Sequence, residues 1–340
     1  MAARLRHVAH YMLAAALYYS GALALRCWLR RCVSRRPEVA VLGLHRILTA
    51  EQALLTCSEE GMIVTLPTFR KLLQMLRQQY QVLSLEEFLG GNISRSSKPS
   101  CLLTFDDAWL DTFENAYPAL REAGVPAAVF VPTGLVGGDS YFWVERLSML
   151  WKNSGEYRGA LSIALGKELA LAPLATLEKS IIALKRVPYA RRESIIKELI
   201  TQFSDGSQPG RTDRFMSWEQ LLSMSAVIEA ASHTVNHVLL DFEEKAGAET
   251  ELRQSRETLE EKLGRPVRAL AYPSGNFDER VRGWVASAGY HWAFTVRPGT
   301  YRKGDDPLTV PRSLLQEGNI TSPWGIFSPA MFHLRLTGWR

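Results

Sequence analysis

Cysteine is scarce in this chain of 340 residues, which holds only four. They are Cys27, Cys32, Cys57 and Cys101. Their placement shows neither the paired spacing of a zinc-binding motif nor the dense array of a disulfide-stapled domain. Cys101 lies within an apolar run, where a free cysteine behaves as a small apolar side chain. The cysteines argue against a disulfide scaffold and leave the redox compartment open.

No nucleic-acid-binding motif is present, although the chain is basic, with a net charge of +5 and a pI of about 9.0. This charge favours an anionic lipid surface or a diphosphate-linked sugar as partner, and no nucleic acid is expected. Hydrophobic residues make up 46% of the chain, enough to bury the core of one barrel-sized domain with appendages.

The most informative stretch is residues 101–109, Cys-Leu-Leu-Thr-Phe-Asp-Asp-Ala-Trp. A short apolar run that ends in Asp106 and Asp107 predicts a buried strand. In barrels and open α/β sheets, polar residues at the carboxyl ends of strands face the active site. Adjacent carboxylates raise each other's proton affinity unless a positive charge lies nearby. A bound metal cation is one such charge.

Residues 232–237, Ser-His-Thr-Val-Asn-His, supply further metal ligands. On a helical turn, the spacing of His233 and His237 places both imidazoles on one face. Two histidines and one carboxylate, with a fourth position left for water, form a catalytic zinc pattern. Asp106 or Asp107 is the third ligand, and the other carboxylate is then free to act as a base.

Each of these motifs also has a plain structural interpretation. A strand-end Asp-Asp pair is usually a solvated turn or a helix cap, and a histidine pair four residues apart is usually surface or core. Their joint occurrence in a chain with seven histidines favours the metal site. A phosphatase-type nucleophile is a competing use of Asp106, but it needs a second aspartate where Ala108 stands.

These motifs resemble those of the polysaccharide deacetylases, carbohydrate esterase family four with the NodB-homology domain. Thr-Phe-Asp-Asp at 104–107, His-Thr-Val-Asn-His at 233–237 and Tyr-Pro-Ser-Gly at 272–275 match its first three motifs, and the likeness covers roughly residues 38–315. The resemblance implies that Asp106 is the base and that Asp107, His233 and His237 bind a divalent metal. Zn²⁺ is the first choice, with Co²⁺, Ni²⁺ or Fe²⁺ as alternatives.

The resemblance also implies roles for three further residues. The backbone N–H of Ser274 matches the donor that stabilises the tetrahedral oxyanion, where one such donor contributes about 3 kcal/mol. His45 follows an apolar strand, as in the poly-N-acetylglucosamine deacetylase branch, and is the candidate general acid. Many members hold the base with an arginine at the position of Ala271, so Arg268 or, by preference, Arg312 is expected to replace it.

The expected fold class is α/β: a distorted (β/α) barrel of about seven strands with a helical insertion and an N-terminal membrane-associated helix. An apolar strand, a helix and a second apolar strand between residues 101 and 131 form a βαβ unit, which indicates parallel strands. The barrel is expected over residues 37–320, with the insertion over about 141–215. Residues 321–340 form an aromatic and basic tail that includes Trp324, Trp339 and Arg340.

Residues 1–36 are predicted to be a membrane anchor with a basic flank. The apolar run 8–25 is at the short end for a membrane span, which needs about 20 apolar residues. The heavier basic flank lies on its C-terminal side, which slightly favours the cytoplasmic face. A helix lying in the membrane interface is the alternative. The basic residues of the flank are Arg26, Arg30, Arg31, Arg35 and Arg36.

The sequence thus predicts a metal-dependent N-deacetylase that removes acetyl groups from an N-acetylated amino sugar in a membrane-associated glycan, with a lipid-linked substrate as one form. Its partners are that glycan and membrane lipids. A deformylase of a lipid-linked amino sugar and a catalytically silent, membrane-bound carbohydrate-binding protein are the alternatives. The departures from the family pattern at Ala231 and Ala271 give the silent protein some weight, and the complete set of four Asp and His residues weighs against it.

Overall fold

The computed structural model describes residues 2–33, 36–91, 93, 97–138, 141–204 and 206–337. Several residues of the sequence predictions lie outside this description: Arg35, Trp339, Arg340 and the side chains of Arg30 and Arg31.

Eleven strands and fifteen α-helices follow one another along the described chain. The strands are β1 Glu38–Leu44, β2 Arg46–Leu48, β3 Ile63–Thr65, β4 Gln81–Leu83, β5 Ser100–Asp106, β6 Ala127–Val131, β7 Ile228–Ser232, β8 Ala269–Ala271, β9 Trp292–Phe294, β10 Tyr301–Arg302 and β11 Ser313–Leu314. The helices are α1 Ala2–Tyr19, α2 Ala22–Val33, α3 Ala50–Leu55, α4 Leu66–Gln79, α5 Leu85–Leu89, α6 Tyr117–Ala123, α7 Trp143–Asn153, α8 Arg158–Glu168, α9 Leu177–Lys185, α10 Tyr189–Phe203, α11 Trp218–Ser223, α12 Lys245–Leu263, α13 Glu279–Ser287, α14 Glu317–Ile320 and α15 Pro329–Leu336.

A curled sheet with the order β10-β1-β5-β6-β7-β8-β9 forms the centre of the domain, with β4 beside β5 and β11 beside β1. The strands from β1 to β9 pair in parallel. The segment around Val310 hydrogen-bonds to β9, and β11 pairs with β1, so a short stretch connects the two ends of the sheet. This architecture confirms the predicted distorted (β/α) barrel.

The central strands are almost continuously apolar in sequence. Helices cover the outer face of the sheet and side chains fill the interior of the barrel, so both faces of each strand are buried. All seven residues of β5 are buried. Helix α4 shows how the outer layer attaches: Phe69, Leu72, Leu73 and Leu76 repeat at helical spacing and are all buried. Each such side chain contributes about 1.5–3 kcal/mol by leaving water.

The predicted insertion consists of helices α7 to α10, which share a hydrophobic cluster of their own. Leu147, Leu165, Leu184 and Ile195 lie at its centre and are fully buried. The cluster continues into the barrel through Trp109. The insertion therefore has a fixed place beside the strand that carries the Asp-Asp pair.

The N-terminal apolar run forms two helices, and the prediction of one continuous helix is wrong. Helices α1 and α2 meet at an angle of 65°, with Gly21 at the break in a left-handed conformation (φ 77°). Ala14 and Leu23 pack against α15, which is part of the predicted aromatic tail. Among the described residues no single helix is long and apolar enough to cross a membrane, whereas this bent pair meets the length and composition criteria only when taken together.

Candidate active site

Four strands of the parallel sheet bring the predicted site residues to one edge. His45 follows β1, Asp106 ends β5, His233 follows β7 and Ser274 lies in the turn after β8. Strand β1 pairs with β5, β6 lies between β5 and β7, and β8 follows β7. Because the carboxyl ends of parallel strands meet at one edge, these residues share that edge although long stretches of chain separate them.

Asp106 is held by a buried arginine. The guanidinium of Arg312 donates hydrogen bonds of 2.6 and 2.8 Å to the two carboxylate oxygens of Asp106. Arg312 is itself fixed by donating to the carbonyl of Thr295 at 2.9 Å. Burial raises the pKa of Asp106, but Arg312, with smaller contributions from His233 and His45, outweighs burial and lowers that pKa below its ordinary value. Arg312, and not the exposed Arg268, is therefore the arginine that meets Asp106.

His45 lies near the same carboxylate. Its Nε2 is 3.8 Å from Oδ2 of Asp106, and its side chain retains 20% exposure. Asp106 is almost completely buried. His45 is thus the partly exposed member of the pair, at a position from which an imidazole can reach a substrate.

Asp107 lies beside both histidines of the second motif. Its Oδ1 is 3.5 Å from Nε2 of His233 and 3.4 Å from Nε2 of His237. The three residues offer ligand atoms that all lie within 4.8 Å of one another. All three side chains are buried.

The histidine pair reaches this position without a helix, so the predicted helical turn is wrong. Strand β7 ends at Ser232, and the histidines lie in an irregular loop. Thr234 and His237 in this loop have positive φ angles of 66° and 52°. Such conformations are costly for residues other than glycine, and they persist only where surrounding contacts enforce them.

The hydrogen bonds of these three residues leave their metal-facing atoms available. Nδ1 of His233 pairs with the carbonyl of Ala271 at 2.8 Å, which leaves its Nε2 free for a ligand. Oδ1 of Asp107 is buried without a hydrogen-bond partner among the described residues. Burial lowers the pKa of both His233 and His237, which favours the neutral imidazoles that metals bind. The residues therefore fit a divalent metal.

Comparisons with known proteins point to the same chemistry. The family model described as polysaccharide deacetylase matches residues 94–156 and 194–293, which include both motifs. The central part of the chain thus matches the polysaccharide deacetylase family. The curated putative polysaccharide deacetylase YxkH of Bacillus subtilis is 19% identical over 255 residues. That alignment covers 74% of this chain and 65% of YxkH, so the chain spans less than two thirds of that relative.

Solved deacetylase structures share the fold. The deacetylase PplD of Streptococcus pyogenes, solved in complex with acetate, superposes with a TM-score of 0.55 at 20% identity, over 86% of this chain and 100% of that one. IcaB from Ammonifex degensii gives a TM-score of 0.53 at 20% identity, over 82% of this chain and 92% of that one. At this identity the likeness establishes the fold alone.

The turn that carries Ser274 is shaped by close packing. Ser274 itself has a positive φ of 54°, and Gly275 follows with a φ of 73°. A Cβ atom at Gly275 would collide with Val296, so only glycine fits there. Many members of the polysaccharide deacetylase family have an arginine at the position of Ala271. Here the backbone carbonyl of Ala271 accepts a hydrogen bond from the imidazole of His233.

One supporting residue, Glu251, escaped prediction because nothing near it in the chain marks it. Glu251, on α12, accepts hydrogen bonds from the backbone N–H groups of Val235 and Asn236 at 2.8 and 2.9 Å, and from the side-chain amide of Asn236 at 2.7 Å. It thereby holds the strained loop that carries His237. A single glutamate on a helix rich in charged residues carries no signal of this role.

A buried network of charged side chains supports Asp107 through Trp109. Trp109 donates its indole N–H to Oδ2 of Asp107 at 3.2 Å. The guanidinium of Arg46 lies 4.2 Å from the centre of the Trp109 ring. Arg46 is completely buried and pairs with Asp111 at 2.7 Å and with Asp213 at 3.2 Å. The metal-facing carboxylate is thus oriented through an aromatic ring that the network holds in place.

Proposed function

We propose that this protein is a metal-dependent hydrolase that removes acetyl groups from the N-acetylated amino sugars of a glycan. The observation that carries the proposal is the pairing of two carboxylates with different surroundings: Asp107 faces two neutral imidazoles, whereas Asp106 is bound by Arg312. Environments that differ in this way assign different roles to adjacent acids. Asp107, His233 and His237 would hold the metal, and Asp106 remains unligated.

The chemistry divides among the residues at the edge of the sheet. A divalent metal, when bound, supplies Lewis acidity toward the water and the amide carbonyl. Asp106, kept ionised by Arg312, accepts the proton of the attacking water. His45 donates a proton to the departing amine nitrogen, and the backbone N–H of Ser274 donates to the oxygen that gains negative charge. Acetate and a free amino sugar are the products.

Zinc is the metal that this ligand set favours. Two imidazoles and one carboxylate with open positions are typical of catalytic zinc sites. The same donors also accept Co²⁺, Ni²⁺ or Fe²⁺. The test measures the metal content of the purified protein, removes the metal with a chelator and reconstitutes the protein separately with each ion. The activity restored by each ion then ranks the metals.

Membrane attachment through the N-terminal helix pair is the second part of the proposal. One side of the pair packs on α15, while Met12, Leu25 and Trp28 remain exposed. Trp324 is also exposed, and its ring packs edge-on against the ring of Tyr11 on α1, with 5.7 Å between the two centroids. An apolar face with tryptophans beside arginines suits the membrane interface, and the basic flank favours the anionic cytoplasmic leaflet. A lipid-linked N-acetylated glycan is then a natural substrate.

The decisive experiment measures acid release from N-acetylated oligosaccharides and from glycolipids. We expect acetate and a primary amine in equal amounts, loss of both after chelation, and recovery after addition of Zn²⁺. Asp106→Asn should abolish turnover while metal content stays unchanged. Formate instead of acetate would identify a deformylase. A protein that binds metal and glycan but releases neither acid would refute an enzymatic role.

A further inference from the structure

The two ends of the chain carry the whole of its positive charge excess. Residues 1–36 and 318–340 contain nine arginines and neither aspartate nor glutamate nor lysine. Because the net charge of the full chain is +5, residues 37–317, which lack these nine arginines, have a net charge of −4. An anionic surface is therefore attracted chiefly to the two ends of the chain.

These two ends pack against each other in the folded protein. The imidazole of His7, on α1, lies 3.2 Å from the carbonyl oxygen of Thr321. Further along α1, Ala14 is completely buried in an apolar cluster shared with α15. The ring centroids of Tyr18 and His333 are 5.2 Å apart. Helix α1 is therefore docked over most of its length, and we call α1, α2 and residues 318–337 the terminal unit.

The terminal unit exposes a large share of the protein's apolar side chains. Of the seventeen large hydrophobic side chains that are exposed among the described residues, nine belong to this unit. Since successive residues of a helix are rotated by about 100°, Leu5 and Met12 lie on the side of α1 opposite the buried Ala14. In the C-terminal segment, Trp324 and Ile326 are each 67% exposed. Clustered exposed apolar side chains mark an interaction surface.

The docked face of α1 argues against a transmembrane arrangement of this unit. Lipid surrounds a helix that spans the bilayer, so the contacts of His7, Ala14 and Tyr18 with the C-terminal segment would break. Helix α1, with its 18 residues, is about 27 Å long. It is followed at Gly21 by a bend of 65°. A helix pair with one face on the protein and an apolar face outside fits the plane of the membrane interface.

Helix α1 also runs from the active-site edge of the barrel to the opposite edge. Thr321, which His7 contacts, follows α14, and α14 begins just beyond the carboxyl end of β11. Nε2 of His333, which Tyr18 contacts, lies 3.3 Å from the hydroxyl of Tyr80, directly before the amino end of β4. Both strands pair in parallel with their neighbours, so these two points lie at opposite edges of the sheet. The axis of α1 therefore follows the general direction of the strands.

We propose that the terminal unit is a monotopic membrane-binding face, which lays the barrel on its side upon a single anionic leaflet. The inference rests on the membrane attachment in the proposed function and adds its geometry. The exposed apolar side chains of α1, α2 and the turn at 322–326 enter the interface, and the arginines of the unit meet anionic head groups. The active-site edge then opens along the membrane surface, toward sugars linked to lipids of the same leaflet.

The test measures binding of the full-length protein to vesicles made of equal parts of phosphatidylcholine and phosphatidylglycerol. Trp324→Glu with Ile326→Glu, in the C-terminal segment, should weaken vesicle affinity by about tenfold or more, because two large apolar side chains no longer leave water. A transmembrane anchor formed by the N-terminal helices alone would leave that affinity unchanged. Ile163→Glu, at a similarly exposed position on α8, is the control and should bind as wild type does. Thermal unfolding followed by circular dichroism checks that each variant is folded.

A second measurement determines how deeply the tryptophans of the unit enter the bilayer. Lipids brominated near the head group should quench the fluorescence of Trp28 and Trp324 more than lipids brominated at the chain end. Each contribution is the difference in quenching between wild type and Trp28→Phe or Trp324→Phe. Trp284→Phe, on α13 and outside the terminal unit, should change nothing. Stronger quenching of Trp28 by the chain-end bromine would indicate a membrane span and would overturn the inference.

The outcomes separate this inference from the proposed function. Binding that requires Leu25 and Trp28 but not Trp324 and Ile326 would keep the membrane attachment and overturn the shared face. No vesicle binding by wild type would remove the attachment as well, whereas acetate release from soluble oligosaccharides tests the deacetylase independently. Equal affinity for vesicles of phosphatidylcholine alone would overturn the anionic partner. A dimer that Trp324→Glu with Ile326→Glu dissociates, at unchanged vesicle affinity, would assign the face to a second copy of the chain.

Discussion

The ion pair between Arg312 and Asp106 is the contact whose loss we expect to destabilise the protein most. The two side chains are 0% and 4% exposed and share two short hydrogen bonds. Arg312→Met keeps much of the volume but leaves the Asp106 carboxylate and the Thr295 carbonyl without their donors. Removal of one partner from a buried pair costs about 3–5 kcal/mol. We therefore expect the free energy of unfolding to fall by about 4 kcal/mol.

The ion pair between Arg302 and Glu38 provides the control for this substitution. Its N–O distance of 2.9 Å is similar, but its side chains are 42% and 14% exposed. Pairs of this kind contribute about 0–1 kcal/mol, because water screens the charges and competes for their hydrogen bonds. Arg302→Met should therefore cost no more than about 1 kcal/mol.

A double-mutant cycle isolates the interaction itself. Asp106→Asn removes the carboxylate charge, so the double variant with Arg312→Met leaves no unpaired ion. We expect its loss to be smaller than the sum of the single losses by about 2–3 kcal/mol. Urea unfolding followed by circular dichroism and tryptophan fluorescence, at one saturating metal concentration, measures all four proteins. Additivity within about 0.5 kcal/mol would refute the proposed coupling.

Three further predictions concern other parts of the molecule. Glu251→Gln should weaken metal affinity about 10–100-fold, measured by competition with a chelator, because the His237 loop loses a charged acceptor. Glu145 is a buried acid in the Arg46 network, and burial raises its pKa to about 8 from an ordinary 4.5. The native protein then holds a proton that the unfolded chain releases, so this contribution to stability is full below pH 4.5 and is lost as pH rises through about 8. Glu145→Gln should remove up to about 1.4 kcal/mol per pH unit of that slope in urea titrations, and an unchanged slope would contradict the pKa shift. Leu25→Glu with Trp28→Glu should abolish co-sedimentation with anionic vesicles, whereas Leu54→Glu, at another exposed apolar position, should not.

Local sequence patterns were sufficient for the parts of the site that depend on chain order. The apolar run before Asp106 marks a buried strand, and the chain turns where the apolar run ends. A βαβ unit follows, so the strands are parallel and their carboxyl ends meet at one edge. This reasoning places Asp106 and Asp107 at the active-site edge of the sheet, and the metal-ligand pattern of two imidazoles with one carboxylate adds His233 and His237 to them.

The same patterns do not predict which distant side chains meet there. Arg268 and Arg312 were both candidates to hold Asp106, and 206 residues separate Asp106 from Arg312. The pairing depends on how the last strands close against β1, which is a property of sheet register. The histidine loop shows the opposite error. The spacing of its histidines fits a helix, but hydrogen bonds that the loop donates to the Glu251 carboxylate and the Ala271 carbonyl enforce an irregular turn.

The sequence by itself determined the chemical groups of the site: two adjacent acids at the end of a buried strand and two imidazoles four residues apart. Only the tertiary structure decided which acid is bound by an arginine, which loop conformation aims the imidazoles, and that the two ends of the chain pack against each other. The reason is physical. Periodicity and turn signals act over a few neighbouring residues, whereas ion pairs, strained loops and docked helices arise from the packing of elements far apart in the chain.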